Sequence, residues 1–171
     1  MEYLNNYLIK AVEAYPYDLE EAVESLNYAL SYEPNNPVAL GLFGRIYADV
    51  YEDYETSIQY FESALAENIN LTSVYSHYTL VLIHNEDYKK ALKFIEFAMT
   101  VKSSDKGILL ARKVLIFECL RNYKKAMKII KVAEKNTYNN DFMSYLDEFK
   151  KRIKQKMPKQ NKKRKKLKCV K

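Results

Sequence analysis

Glycine and proline are nearly missing from this sequence, with three and four copies in 171 residues, and three of the prolines (Pro16, Pro34, Pro37) fall in its first quarter. A strand-and-turn protein needs far more of both to punctuate its hairpins, so the scarcity favours helices over most of the chain. Only two cysteines occur, Cys119 in an apolar stretch and Cys169 near the end. They make neither a disulfide framework nor a zinc pattern, and both are expected as free thiols. Cys169 stands third from the end, one place short of a prenylation box. No run approaches the ~18 consecutive apolar residues of a membrane span. The opening MEYLNNYLIKAVEAY has acids and asparagines where a signal peptide has a basic region and an apolar core. No membrane insertion is therefore expected, and the location expected is intracellular and cytoplasmic, with the nucleus open to it if the host has one.

The sequence also lacks a Gly-rich phosphate loop, a nucleophile elbow and any His/Cys cluster with metal-ligand spacing, while its carboxylates are strung along helical faces. Neither enzymatic activity nor a catalytic residue is expected, and no cofactor. His77 and His84 are the only histidines. Seven residues of helix separate them by ~10.5 Å of rise, too far to share one ion through bonds of about 2 Å, so no metal site is expected either.

What is present suffices for one domain with a sizeable core, since 48% of residues are hydrophobic and 13% aromatic. The formal charge of +6 hides a gradient. Residues 1–88 hold 2 cations and 15 acids, residues 89–149 hold 13 and 7, and residues 150–171 hold 13 cations and no acid. The chain is electrically polarised along its length.

An internal repeat organises the rest. YKKALKFIEFA from Tyr88 and YKKAMKIIKVA from Tyr123 share one skeleton, and LEEAVESLNYA from Leu19 and YETSIQYFESA from Tyr54 extend it to four copies. Small residues recur in register at Ala22, Ser57, Ala91 and Ala126, and again at Ala29, Ala64, Ala98 and Ala133. Between them lie Leu26, Phe61, Ile95 and Ile130. These positions share one helical face, where small side chains let a second helix approach to ~8–10 Å. Second helical patterns lie between the copies, in PVALGLFGRIYADV, TSVYSHYTLVLIH and DKGILLARKVLIFECL. Asn36–Pro37 reads as a helix start, and Asp18 with Glu21 as a capping box. Gly44 inside a helix costs about 1 kcal/mol relative to alanine, which is explained if a neighbour passes too close for a side chain. From Asp141 to Met157, Phe142, Tyr145, Leu146, Phe149 and Ile153 form one apolar stripe, as expected of a polar-backed capping helix.

A helix pair of about 34 residues with these columns resembles the tetratricopeptide repeat, over roughly residues 3 to 138. Leu40, Phe43, Gly44 and Tyr47 match that family's W-x2-L-G-x2-Y in the best copy, followed by Ser57, Phe61 and Ala64. Tyr75, Tyr78, Thr79 and Leu82, and then Leu110, Val114 and Phe117, stand in the same columns of the next two copies. Departures are Lys113 in an apolar slot, Val114 in the small slot, an extra residue in the second copy's turn, and Ile69, Ser103 and Tyr138 where the first copy has Pro34. The first helix of the first copy fits more than one register. The resemblance implies an all-α, right-handed solenoid of about four repeats (1–34, 35–69, 70–103, 104–138), while the apolar stripe and the composition lead to a capping helix over 139–157 and a disordered basic tail over 158–171.

In the resembled family, first helices line a concave groove that takes an extended peptide or a partner's helix. The residues implied to line it here are Asn6, Tyr7, Lys10, Leu42, Arg45, Asp49, His77, Leu80, His84, Arg112, Leu115 and Glu118. This mixture suits a peptide with apolar anchors and an acid. Ser73, Ser76 and His77 stand where the chaperone-binding members carry much of a two-carboxylate clamp, which argues against that specialisation. Tyr47, Tyr54, Tyr75, Tyr78, Tyr88 and Tyr123 fall in columns where the family buries bulky residues, so packing is expected of them rather than base stacking.

The tail PKQNKKRKKLKCVK has no apolar periodicity. Its cations Lys159, Lys162, Lys163, Arg164, Lys165, Lys166 and Lys168 admit binding to RNA or another polyanion, a nuclear import address, or solubilisation. Without interleaved aromatics, any nucleic-acid contact there would be electrostatic and sequence-blind. Self-association between the cationic end of one copy and the anionic half of another is a fourth use. The expected function is a non-enzymatic adaptor that binds a protein or peptide partner in the groove, the alternative being an RNA- or ribosome-associated factor acting through the tail.

Overall fold

The computed structural model describes residues 2–137 and 139–158. Its elements are α1 (Glu2–Ala14), α2 (Leu19–Tyr32), α3 (Pro37–Asp49), α4 (Tyr54–Glu67), a 3-10 turn (Thr72–Val74) running into α5 (Tyr75–His84), α6 (Tyr88–Ala98), α7 (Lys106–Cys119), α8 (Tyr123–Asn136) and α9 (Asn140–Lys156). No strand occurs among the described residues, and the fold is all-α. No helix among them is long and apolar enough to cross a membrane. The chain divides within α7 into two compact units, residues 1–112 and residues 113–171.

Four helices begin at Leu19, Tyr54, Tyr88 and Tyr123, the first residues of the four sequence copies. All twelve residues of their three columns are at most 2% exposed. Helix formation there is a packing event: alanine or serine at two positions lets helices close on one another, and the large residue between them fills the space. In the first unit α1 packs on α2, α3 on α4 and α5 on α6, and contacts of α2 with α3 and of α4 with α5 join the hairpins. The odd-numbered helices also touch, α1 with α3 and α3 with α5. In the second unit α9 packs on α8.

Helix starts are set by short polar side chains. Asn36 Oδ1 accepts from the amides of Val38 and Ala39 ahead of Pro37, Asp18 accepts from Glu21, Asp53 from Thr56, and Asn122 from Lys125. The capping box expected at Asp18 is half formed. Its reciprocal arm is missing because the Asp18 amide already donates to the Ala14 carbonyl, and the Glu21 carboxylate pairs with Lys10 at 3.1 Å. Asp87 caps no amide; its carboxylate accepts from Asn85 instead.

Three of the hairpin turns put a side-chain-bearing residue in the left-handed region, Glu52, Glu86 and Arg121, with φ of 53°, 59° and 54°. After α5 and α7 this makes a Schellman closure. The amides of Asp87 and Asn122 reach back five residues to Leu82 and Phe117, and those of Glu86 and Arg121 reach Ile83 and Glu118. In the second copy the Asp53 amide reaches Tyr47, six residues back, which accommodates the extra turn residue. Left-handed backbone costs an L side chain about 1–2 kcal/mol, and glycine returns part of that as unfolded-state entropy. Glu86→Gly should therefore stabilise by about 0.5–1 kcal/mol in urea unfolding, and Glu86→Val should destabilise.

Gly44 sits where a Cβ would lie 3.0 Å from two carbons of the Phe61 ring. The close neighbour is thus a side chain of α4 rather than its backbone. Ser57 Oγ donates to the Gly44 carbonyl at 2.6 Å and ties the same two helices together. The expected stripe of α9 is narrower than the sequence suggests. Leu146, Phe149 and Ile153 are buried, Phe142 is half-buried, and Tyr145 is exposed with its ring edge-on to Phe149 at 4.9 Å between centroids. Of the tyrosines expected to pack, Tyr75 and Tyr78 are fully buried, while Tyr47, Tyr54, Tyr88 and Tyr123 are half-buried.

Candidate functional site

The first unit gathers charged side chains from three helices. Arg45 and Asp49 project from α3, His77 from α5 and Arg112 from the middle of α7, all close enough for the other three to act on the charge of His77. Burial is the main influence on that imidazole and the Arg45 charge the next; together they hold His77 below its ordinary value, against opposition from Asp49. The Ser73 carbonyl also favours the charged ring, yet not in good hydrogen-bonding geometry. His77 Nδ1 and Arg45 Nε are shielded from solvent with no hydrogen-bond partner among the described residues. A buried donor left in that condition costs roughly 1–3 kcal/mol, so an acceptor supplied from outside would be well rewarded.

Asp49 is not that acceptor. Tyr15, just past the end of α1, donates its hydroxyl to Asp49 Oδ2 at 2.7 Å, and the Arg45 guanidinium lies 5.0 Å from the Tyr15 ring centroid. Burial first, and then the Asp49 carboxylate, push the Tyr15 phenol up to about 12. The phenol keeps its proton and orients the acid, while its ring face supports the guanidinium. The result is a cluster of cations whose neighbouring carboxylate is already bonded to Tyr15.

Of the residues expected to line a groove, Arg45, Asp49, His77 and Arg112 are brought together, and half-buried Leu80 lies on α5 with His77. Leu42 is 6% exposed and belongs to the core formed by α1 to α3. His84 stacks on Tyr54 at 5.3 Å. The three residues expected from α1 do not join the cluster. Lys10 pairs with Glu21 on α2, Tyr7 stacks on Tyr28 at 5.2 Å with Tyr32 beyond, and Asn6 is exposed. Ala11 and Ala14 are the core residues of α1, which fixes a register the sequence leaves ambiguous, and Tyr15 is this segment's contribution to the site.

In the second unit Leu115 is half-buried and Glu118 is 6% exposed. Arg152 Nε and Nη2 donate to the two oxygens of Glu118 at 2.8 and 2.7 Å, and Lys156 Nζ donates at 2.7 Å. Instead of facing an open groove, this carboxylate is taken up by α9. The bonds from Arg152, ahead of those from Lys156, hold its pKa below the ordinary carboxyl value against the cost of burial.

Tyr15, Arg152 and Lys156 escaped the sequence reading. A signal for two of them exists: Tyr15 and Asp49 are 34 residues apart, and so are Glu118 and Arg152. Each pair therefore spans about one repeat length of chain. The tail cations Lys159, Lys162, Lys163, Arg164, Lys165, Lys166 and Lys168, and Tyr138, lie outside the described residues. Cys119 is a free, exposed thiol. No family model and no curated protein matches the chain.

Proposed function

We propose that the chain is a non-enzymatic adaptor whose tetratricopeptide-like hairpins hold an extended peptide or a helix of a protein partner. A carboxylate of that partner is received by Arg45, His77 and Arg112. The observation that carries the reading is the buried donor Arg45 Nε, without a hydrogen-bond partner among the described residues and beside an acid already bonded to Tyr15. Guanidinium groups in a partly desolvated recess bind carboxylate more strongly than at an open surface.

Arg45→Glu combined with Arg112→Glu should abolish capture of the partners that the unaltered protein retains in affinity purification, with the helical circular dichroism preserved. Undiminished capture by the folded double variant would remove the site. A second reading, binding of RNA or another polyanion through residues 158–171, is favoured by a sign change between the units. Residues 1–112 carry 8 cations and 17 acids, whereas residues 113–171 carry 20 cations and 5 acids.

A further inference from the structure

The structure places a second group of cations in the positive unit, on an ordered helix. Lys124, Lys128, Lys131 and Lys135 of α8 are spaced four, three and four residues apart, so at 100° per residue they fall within about 60° of arc on one face. All four are exposed, and none forms an ion pair among the described residues. The row rises ~16.5 Å from end to end. The one acid of α8, Glu134, falls about 60° outside the row and is held by Lys150 at 2.6 Å. Nothing on its own helix neutralises the row.

The repeat supplies an internal control. Counted from the helix start, the same four positions are Glu20, Glu24, Asn27 and Ser31 in α2, and Glu55, Gln59, Glu62 and Ala66 in α4, all exposed. The hairpin scaffold accepts acids or neutral residues there, so folding does not require the lysines. At its N-terminal end the row meets a cavity of about 560 Å³ lined by Arg121, Tyr123, Lys124, Met157 and Pro158 among others. Pro158, the last described residue, thus lies at the head of the row.

We propose that the exposed face of α8 is a nucleic-acid-binding surface that tracks a phosphodiester backbone. This deepens the polyanion reading of the tail and rests on it, adding a site on a helix. The composition selects the partner. Lysine is depleted from protein–protein interfaces, which rely on aromatic and arginine anchors, and the row offers point charges alone. A linear array of cations along a helix matches a linear polyanion, for which each neutralised phosphate releases counterions.

The test is fluorescence anisotropy of the full chain with a labelled mixed-sequence 20-nucleotide RNA across a series of salt concentrations. The comparison is with Lys124→Gln/Lys128→Gln/Lys131→Gln/Lys135→Gln. Four lost contacts should lower the slope of log K against log salt by about 3, at ~0.7 per single-strand phosphate, and weaken binding at least tenfold at low salt. Should the quadruple variant lose helicity, Lys124→Gln/Lys128→Gln and Lys131→Gln/Lys135→Gln should each lower the slope by about 1.4. An unchanged slope overturns the proposal. Removal of residues 159–171 separates it from the tail reading: loss of all binding on truncation, with the α8 variant unaffected, sinks this inference and leaves that reading standing. Binding to phosphatidylserine vesicles but not to RNA would also overturn it.

Discussion

Phe61→Ala is expected to destabilise the first unit by about 3–5 kcal/mol, a large share of the 5–15 kcal/mol typical of a whole domain. The ring is wholly buried, lies against Gly44 of α3, and meets Tyr78 of α5 at 5.9 Å between centroids. Its removal empties the place where three helices meet. Gly44→Ala in the unaltered protein adds a Cβ 3.0 Å from that ring, and overpacking of this kind costs about 1–3 kcal/mol. With Phe61→Ala already present the sign should reverse. The space is then open, and alanine recovers about 1 kcal/mol of helix propensity. Urea unfolding of the four proteins in a double-mutant cycle reads this directly. Additive effects would mean that the glycine has another cause.

Glu118→Gln is expected to cost about 1–3 kcal/mol at neutral pH. The lower part of the range is set by Arg152 and Lys156, whose side chains are 45% and 49% exposed and can rehydrate. The loss should also depend on pH in a defined direction. Glu118 is held below its ordinary value of 4.5 in the folded protein, with Arg152 the first cause. As pH falls through 4.5 the unfolded chain takes up a proton that the native state refuses, so the stabilisation present above that point drains away until the native carboxyl also protonates. The glutamine variant has no such proton to bind. The difference between the two proteins in urea midpoint should therefore be widest at pH 6 to 7 and shrink below pH 4.5. A gap that stays constant down to pH 3 would show that the loss does not come from the charge of Glu118.

These two residues mark what could and could not be read from the chain. Phe61 stands in a column that repeats at Leu26, Ile95 and Ile130, and its burial followed from periodicity alone. Glu118 stands in a helix whose other residues told nothing of its partners, because those partners come from α9, 34 and 38 positions later. The α1 register failed for a related reason. MEYLNNYLIKAVEAY offers apolar residues on more than one face, and only the core that α3 presents to Ala11 and Ala14 selects among them. Arg45, Asp49, His77 and Arg112 were proposed for a common surface from a family resemblance, and their convergence depends on how α3, α5 and α7 are placed.

Helix boundaries, caps and the alternation of small and large buried residues are dictated within a few positions of each residue. Backbone hydrogen bonding and the 3.6-residue period act at that range, so the starts of four helices, at Leu19, Tyr54, Tyr88 and Tyr123, could be placed from letters alone. Which carboxylates stay open to a partner is another matter. Tyr15 claims one and Arg152 with Lys156 another, through contacts that exist only once helices a full repeat apart have stacked, since hydrogen bonds and desolvation act over a few ångströms of space and not along the chain.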